Sequence, residues 1–578
     1  MPTACRIAHP ATGGQAGKSA SVEGARRSFS DCIGMTDLTP FDLDASDAGT
    51  SLSRLASAPE LTHLRALFSK DPARFQAFSC RYGEWLLDYS RQRMDAAIRS
   101  QLLALAEESR LRQGIDAMLS GAIVNVTEQR AVLHCAARLS PHTPLNARNQ
   151  IEETLARVMA LVDRIHAGSL TGSRGMPIRH VVHLGIGGSD LGPRVLSEAF
   201  STAYPRRLKV SFAANVDASE IRSILIDATP EETLFVVASK SFTTAETLSN
   251  ARIARQWLTD QLGPDADVRA HFAAISNNVH AASSFGVPEE RIFPLPEWVG
   301  GRFSVWSAIG IPIMLEFGTP VFLEFLAGGR DMDAHFATAP FDSNLPVLAA
   351  LIGLWNASYL RINCHAVLPY CHALRSLPAY LQQLEMESNG KHVRRDGSAL
   401  SYPTAPILFG GAGTVGQHAY HQLFYQGTET VALDFIVPIP DTPTPATRSL
   451  VGNALAQAAA LMHGRTEDEA RAELTQRGLA QDEVERLAPH LVCPGNQPSS
   501  TLLMPALTPF TVGQLIALYE HKVFAQGWMW GLNSFDQYGV ELGKQLARRL
   551  ESGDMSDADS STQGLMADIA RRWEPAKE

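Results

Sequence analysis

Cysteine is scarce and scattered in this chain, with seven in 578 residues, at positions 5, 32, 80, 135, 364, 371 and 493. Their odd number and the lack of any C-x-x-C pair argue against a disulfide framework or a cysteine zinc site, and suit free thiols in a reducing cytoplasm. Long apolar runs are missing too. The stretch 309–326 is broken by Pro312, Glu316 and Glu324, and 345–355 is too short to span a bilayer. Both read as core helices, and no membrane partner is expected. Nor is positive charge in excess: 50 Lys and Arg against 60 Asp and Glu leave a formal net charge of −10. That balance argues against a nucleic-acid surface, which needs clustered cations to neutralise phosphates. A small phosphate held by a few local donors remains compatible with it.

What is present is an ordinary globular composition, 45% hydrophobic and 19% charged, in a chain long enough for several domains. Residues 1–34 are rich in Ala, Ser and Gly and are expected to be either a disordered extension or the product of an upstream start codon, with Met35 opening the ordinary sequence. Their GGQAGKS (13–19) is not a phosphate-binding P-loop, because Thr12 stands where the first glycine belongs and no strand precedes it. From 35 to 149 the pattern predicts a helical, strand-poor segment, with helical spacing in 61–68 and 102–111 and a helix over 126–139 started by Thr127. A helix over 149–166 follows. The rhythm then becomes strand, turn, helix, with strands at 180–185, 233–242, 271–276, 405–411 and 430–439. Short apolar strands alternating with helices predict an α/β protein with parallel sheets covered on both faces. Two such clusters, 150–330 and 345–540, suggest two α/β units, followed by a C-terminal helix and tail at 541–578; the polar stretch 464–485 reads as an exposed helical insertion.

Three turns in this pattern can hold an anion at a helix N-terminus. GIGGSDLGP (185–193) departs from the dinucleotide fingerprint, since Asp190 replaces its third glycine, and so implies no nicotinamide cofactor. Gly187 and Gly188 let the backbone approach a ligand, and Ser189 adds a hydroxyl. SKSFTTAET (239–247) brings four hydroxyls before a helix, with capping-box spacing between Thr243 and Glu246, and suits a phosphate monoester. GGAGTVGQHAYHQ (410–422) has the same spacing between Thr414 and Gln417 and places His418 in the first turn of a helix. His418 and His421 lack a third ligand nearby, so no metal is expected.

In SLPAYLQQLEMESNGKH (376–392), Glu387 falls at the end of a helix that Gly390 is expected to stop with a left-handed cap. A carboxylate there opposes the helix dipole, a cost that is odd for a structural residue and useful for a base. Gln383, one turn earlier on the same face, can orient a substrate.

GIGGSDLGP, SKSFTTAET, WVGGRFSVWSAIG (298–310), QQLEMESNGK (382–391), GQHAYHQLFYQGT (416–428) and FDQYGVELGK (535–544) occur in one order. Together they resemble the phosphoglucose isomerase family, over roughly 38–550. The resemblance implies two sugar-isomerase (SIS) α/β/α sandwich domains with extra helices at both ends. It implies interconversion of glucose 6-phosphate and fructose 6-phosphate by ring opening and a cis-enediolate proton transfer, with no metal or redox cofactor. Glu387 matches the family's base, which carries a proton between C2 and C1, and Arg302 the arginine beside the enediolate. His418 and Lys544 match the ring-opening groups, the histidine reaching in from the neighbouring subunit of a homodimer. Gly188, Ser189, Ser239, Lys240, Ser241 and Thr244 match substrate-binding positions, the hydroxyls among them phosphate-binding. Gln383 and Gln537 match substrate-contacting glutamines. Seven residues separate Gln537 from Lys544, which predicts that one face of the last helix presents both. Two positions depart from the family: Ser241 stands where threonine is usual, and Val415 where asparagine is common. The competing reading is a non-catalytic phosphosugar sensor, which would keep the phosphate turns and lose Glu387, Arg302, His418 and Lys544. A second is an isomerase that also accepts mannose 6-phosphate.

Overall fold

Val181, Val182 and Leu184 are wholly buried, as are Leu234, Phe235, Val236 and Val237. Side chains alternate across a strand, so such runs are stable only in a sheet covered on both faces. The computed structural model describes residues 39–58 and 63–573, and the expected extension at 1–34 lies outside the described residues. Its strands, in chain order, are β1 (Ser79–Tyr82), β2 (Trp85–Asp88), β3 (His180–Leu184), β4 (Lys209–Ala213), β5 (Thr233–Ala238), β6 (Phe272–Ile275), β7 (Ile292–Phe293), β8 (Cys364–Pro369), β9 (Ile407–Gly410), β10 (Ala432–Pro438) and β11 (Ser499–Met504).

The first sheet has the order β4-β3-β5-β6-β7, with every neighbouring pair parallel. Helices Ala218–Ile226 and Ala245–Leu262 pack Ile221, Ala251, Ala254 and Leu258 against Val182, Leu184, Phe235 and Val237 of this sheet. The second has the order β1-β2-β11-β10-β8-β9, in which β11, β10, β8 and β9 are parallel and β2 runs antiparallel to β1 and β11. Parallel strands deliver their following turns to one edge, and the turns after β3 and β5 are the two hydroxyl-bearing ones. No described helix is long and apolar enough to cross a membrane.

Several local expectations are corrected. The helical N-terminal segment contributes the β1–β2 hairpin to the second sheet, its four-residue strands being too short to show alternation. The strands β4, β7, β8 and β11 were not legible; β11 opens on Ser499, Ser500 and Thr501, polar residues that are nonetheless buried. Of 126–139 only His134–Ala137 is helical, and Asn125 and Arg130 close the preceding turn by a bridge. Thr127 caps nothing there, because its hydroxyl donates to Asp536 Oδ2 at 2.6 Å. The 102–111 pattern spans two helices, Ala96–Glu108 and Leu111–Ser120, separated at Arg110, where φ is +54°. The described residues beyond 540 hold two helices, Glu541–Glu551 and Ser560–Trp573.

Helix Pro509–Met529 runs through the interior and is buried almost throughout, charged residues included. Within it Glu520 takes Arg138 Nη1 at 2.5 Å and Trp306 Nε1 at 2.9 Å, and Arg138 also pairs with Asp333 at 2.7 Å. Burial pushes the Glu520 carboxyl up to about 7, against the pull of Arg138. A carboxyl whose folded pKa is raised contributes stability below its unfolded value near 4.5, and loses it as pH rises through about 7. Urea midpoints are therefore expected to show wild type losing stability relative to Glu520→Gln between pH 5 and 8, by roughly 3 kcal/mol at most. A difference constant with pH would reject this.

Candidate active site

Arg302 lies on the 3-10 turn Gly301–Phe303 with its guanidinium buried. Burial lowers its pKa, an effect the Glu387 and Asp536 charges offset in part. A buried guanidinium is tolerated only when its donors are satisfied, and here they are. Nε donates to Ser388 Oγ at 2.6 Å, and Nη1 to Glu387 Oε1 at 3.1 Å and Gln537 Oε1 at 3.0 Å. Nη2 donates to the carbonyls of Ser534 at 2.6 Å and Asp536 at 3.2 Å.

Glu387 ends a π-helical turn, Gln383–Glu387, and Gln383 Nε2 donates to its Oε2 at 2.9 Å. The shared face expected for these two residues is present. The expected left-handed cap at Gly390 is not: its φ is not positive, and the helix runs on through the buried Ser388 and Asn389. Glycine is needed at 390 for another reason, since a Cβ there would lie 2.4 Å from the carbonyl oxygen of Met386.

The turn after β3 packs against both groups. A Cβ on Gly188 would lie 2.1 Å from the Gly301 carbonyl oxygen, so only glycine lets this turn meet the one carrying Arg302. Gly187, at φ +59°, faces Gln383 Nε2. Ser189 is half-buried, and its carbonyl accepts from His183 Nε2 at 2.7 Å, a ring that burial keeps neutral by lowering its pKa to about 4.

In the turn after β5, Thr244 is the N-cap of helix Ala245–Leu262, one residue later than the capping-box spacing predicted. Its hydroxyl does not cap; it meets Ser239 Oγ at 3.0 Å, while Ser241 Oγ meets Thr243 Oγ1 at 2.5 Å. The helix thus presents first-turn N–H groups with no side-chain acceptor, beside four hydroxyls, which is an arrangement for an anion. Lys240 turns aside, donating to the carbonyls of Glu297 at 3.1 Å and Val299 at 3.2 Å, and burial lowers its pKa. A cleft of about 630 Å³ leads from Lys240 and Ser241 past Gly301 to Gln537, and Gln537 also lines a second cleft, of about 340 Å³, that reaches Glu387.

Cys135, Asp333 and His521 bring ligand-type atoms within 4.8 Å of one another. Arg138 sits among them, with Nη2 at 2.7 Å from Asp333 and 3.1 Å from Cys135 Sγ, and a fixed guanidinium repels a metal cation.

The sequence profile described as phosphoglucose isomerase matches residues 88–566. The chain belongs to the phosphoglucose isomerase family. It is 54% identical over 521 residues to a glucose-6-phosphate isomerase of Aromatoleum aromaticum, covering 90% of this chain and 96% of that one. It is 45% identical over 541 residues to one from Hahella chejuensis, covering 91% and 97%. Among solved structures, a glucose-6-phosphate isomerase from Chlamydia trachomatis superposes with a TM-score of 0.80 at 31% identity, over 92% of this chain and 99% of that one.

Two residues singled out by the likeness to phosphoglucose isomerases are exposed and have no hydrogen bond or ion pair to Arg302 or Glu387. His418 ends the short 3-10 turn Val415–His418, before helix His421–Gln426 rather than inside its first turn, and is exposed. Thr414 makes no side-chain cap there, and Gln417 Nε2 donates to the Tyr370 hydroxyl at 2.8 Å instead. Lys544 is exposed on helix Glu541–Glu551, paired with Glu541 at 2.9 Å. Gln537 is not on that helix, because the 3-10 turn Tyr538–Val540 intervenes, so the predicted shared face does not exist. Residues that no sequence reading singled out complete the cluster: Ser388, Asn389, Lys391, Asn533 and Asp536, all buried or nearly so. Their only signal was polar side chains crowded around Glu387 and Gln537, in the two family motifs and, for Asn533, two residues before the second.

Proposed function

We propose that the protein interconverts D-glucose 6-phosphate and D-fructose 6-phosphate, the aldose–ketose step shared by glycolysis and gluconeogenesis, in the cytoplasm. The observation that carries this reading is the half-buried Glu387 carboxylate held at 3.1 Å from the buried Arg302 guanidinium. Isomerisation removes a proton from C2, beside the C1 carbonyl, and returns it to C1. One carboxylate on one face of a planar enediolate can do both. Glu387 takes the C2 proton, and Arg302 stabilises the charge that develops on the enediolate oxygens. Gln383 and Gln537 orient the sugar. The hydroxyls of Ser239, Ser241 and Thr244, with the first-turn amides of helix Ala245–Leu262, hold the 6-phosphate, and Gly188 and Ser189 line the approach. The two sheets are then the cores of two SIS units, at 150–330 and 345–540.

The sugar ring must open before this step, which needs an acid at the ring oxygen and a base at the anomeric hydroxyl. His418 and Lys544 supply them, His418 from the partner subunit of a homodimer. Their exposure supports this, and so do the apolar residues beside them: Val415 and Leu423 next to His418, and Leu542 and Leu546 on the Lys544 helix, are 45–69% exposed. A second copy would cover these faces. Mixing inactive His418→Ala and Glu387→Gln subunits is expected to restore activity through hybrid sites; none, after verified subunit exchange, would reject sharing.

The deciding assay is conversion of fructose 6-phosphate to glucose 6-phosphate by the purified protein in EDTA. Turnover supports the isomerase; a folded protein that binds the sugar phosphate without converting it would make the sensor reading the better one.

A further inference from the structure

We propose that Asp536 is a positioning residue that holds Arg302 and Glu387 in register; this rests on the isomerase reading. Three of the five acceptors around Arg302 come from 534–537, namely the Ser534 and Asp536 carbonyls and Gln537 Oε1. This segment lies between helix Pro509–Met529 and the turn Tyr538–Val540, outside any helix or strand. No backbone ladder fixes it, so side chains must.

The Asp536 carboxylate does this from two sides. Its Oδ2 accepts from the Thr127 hydroxyl at 2.6 Å and from Asn533 Nδ2 at 2.7 Å. Its Oδ1 accepts from Lys391 Nζ at 2.8 Å. Lys391 follows Glu387 by four residues, and its ammonium also donates to the carbonyls of Asn533 at 2.7 Å and Asp536 at 3.1 Å. Burial lowers the Lys391 pKa while Asp536 raises it, so each charge depends on the other for solvation. One carboxylate thereby ties together the segment carrying the base, the 125–130 turn and the loop that receives Arg302. Asp536 faces its own partners rather than the reacting atoms, so its effect passes through Arg302. Misplacing a charge-stabilising donor by a fraction of an ångström weakens transition-state binding more than ground-state binding.

The test is a kinetic cycle of Asp536→Asn and Arg302→Ala, with fructose 6-phosphate as substrate and folding checked by circular dichroism. Asparagine keeps the shape and turns an amide or a neutral oxygen toward Lys391. In the wild-type background Asp536→Asn is expected to lower kcat about tenfold or more with KM within about twofold, and in the Arg302→Ala background to cost less than about twofold. Lys391→Met is expected to repeat this pattern, and Lys391→Arg, which keeps a donor for the carboxylate, to recover most of the lost rate. If Asp536→Asn does not fold, the two Lys391 variants decide. Equal losses in both backgrounds, an unchanged kcat, or no rescue by Lys391→Arg with an active wild type overturns this inference alone. An inactive wild type overturns the isomerase reading, and the inference with it.

Discussion

Glu387→Gln is expected to lower kcat for fructose 6-phosphate by about 10²–10⁴-fold, the usual contribution of a positioned general base, while KM stays within a few-fold. Glutamine preserves the length and one oxygen acceptor, so the Arg302 Nη1 contact at 3.1 Å can survive. The rest of the arginine's donors keep their partners at Ser388, Ser534, Asp536 and Gln537. What is lost is the ability to take a proton from C1 of the ketose and return it to C2. On the proposed reading, binding depends on the hydroxyl-bearing turn after β5, to which Glu387 makes no hydrogen bond. Steady-state kinetics with a thermal melt of each protein check this. A kcat within tenfold of wild type would move the base elsewhere and leave the isomerase reading intact.

Arg302→Ala is expected to cost about 10²–10³-fold in kcat, more than it costs in KM, because charge on the sugar oxygens develops only toward the enediolate. It should also cost stability, by about 1–3 kcal/mol for each buried acceptor left without a donor or a replacing water. Ser388 Oγ and the Ser534 carbonyl are the acceptors at risk, since the Asp536 carbonyl keeps Lys391 Nζ at 3.1 Å. Arg302→Lys separates the two effects. Lysine keeps the charge and lacks the planar fork that reaches five acceptors, so it is expected to regain part of the stability and little of the rate. An unchanged kcat in Arg302→Ala would reject the role in charge stabilisation.

The parallel strands β3, β5, β6 and β10 were legible because strands buried on both faces read as short continuous apolar runs; β9 reads as such a run too, although it is an edge strand with Ile407 exposed. Strand β11 was not, since its first half is polar although buried: Ser499, Ser500 and Thr501. The two capping boxes failed for a related reason. Thr243 and Thr414 have the right spacing, but the nearby hydroxyl and amide groups bond elsewhere, Thr244 to Ser239 and Gln417 to Tyr370. Local spacing names the groups able to cap a helix; competing partners decide whether they do.

The same division runs through the site. Motif chemistry was sufficient to nominate Glu387, Gln383 and the hydroxyl turn, since each belongs to a short segment whose residue types suit one task; Arg302 and Gln537 were nominated only by the resemblance to the phosphoglucose isomerase family. The sequence by itself also determined the α/β class, because apolar runs of strand length between helices have few other ways to bury themselves. Only the tertiary structure decided that Gly188 is glycine to admit the Gly301 carbonyl, that Thr127 serves Asp536 rather than a helix, and that His418 and Lys544 stand exposed without a bond to Glu387. These are matters of contact between segments distant in the chain. Hydrogen bonds and steric limits act at a few ångströms in space, and no periodicity along the sequence encodes which distant segments will come that close.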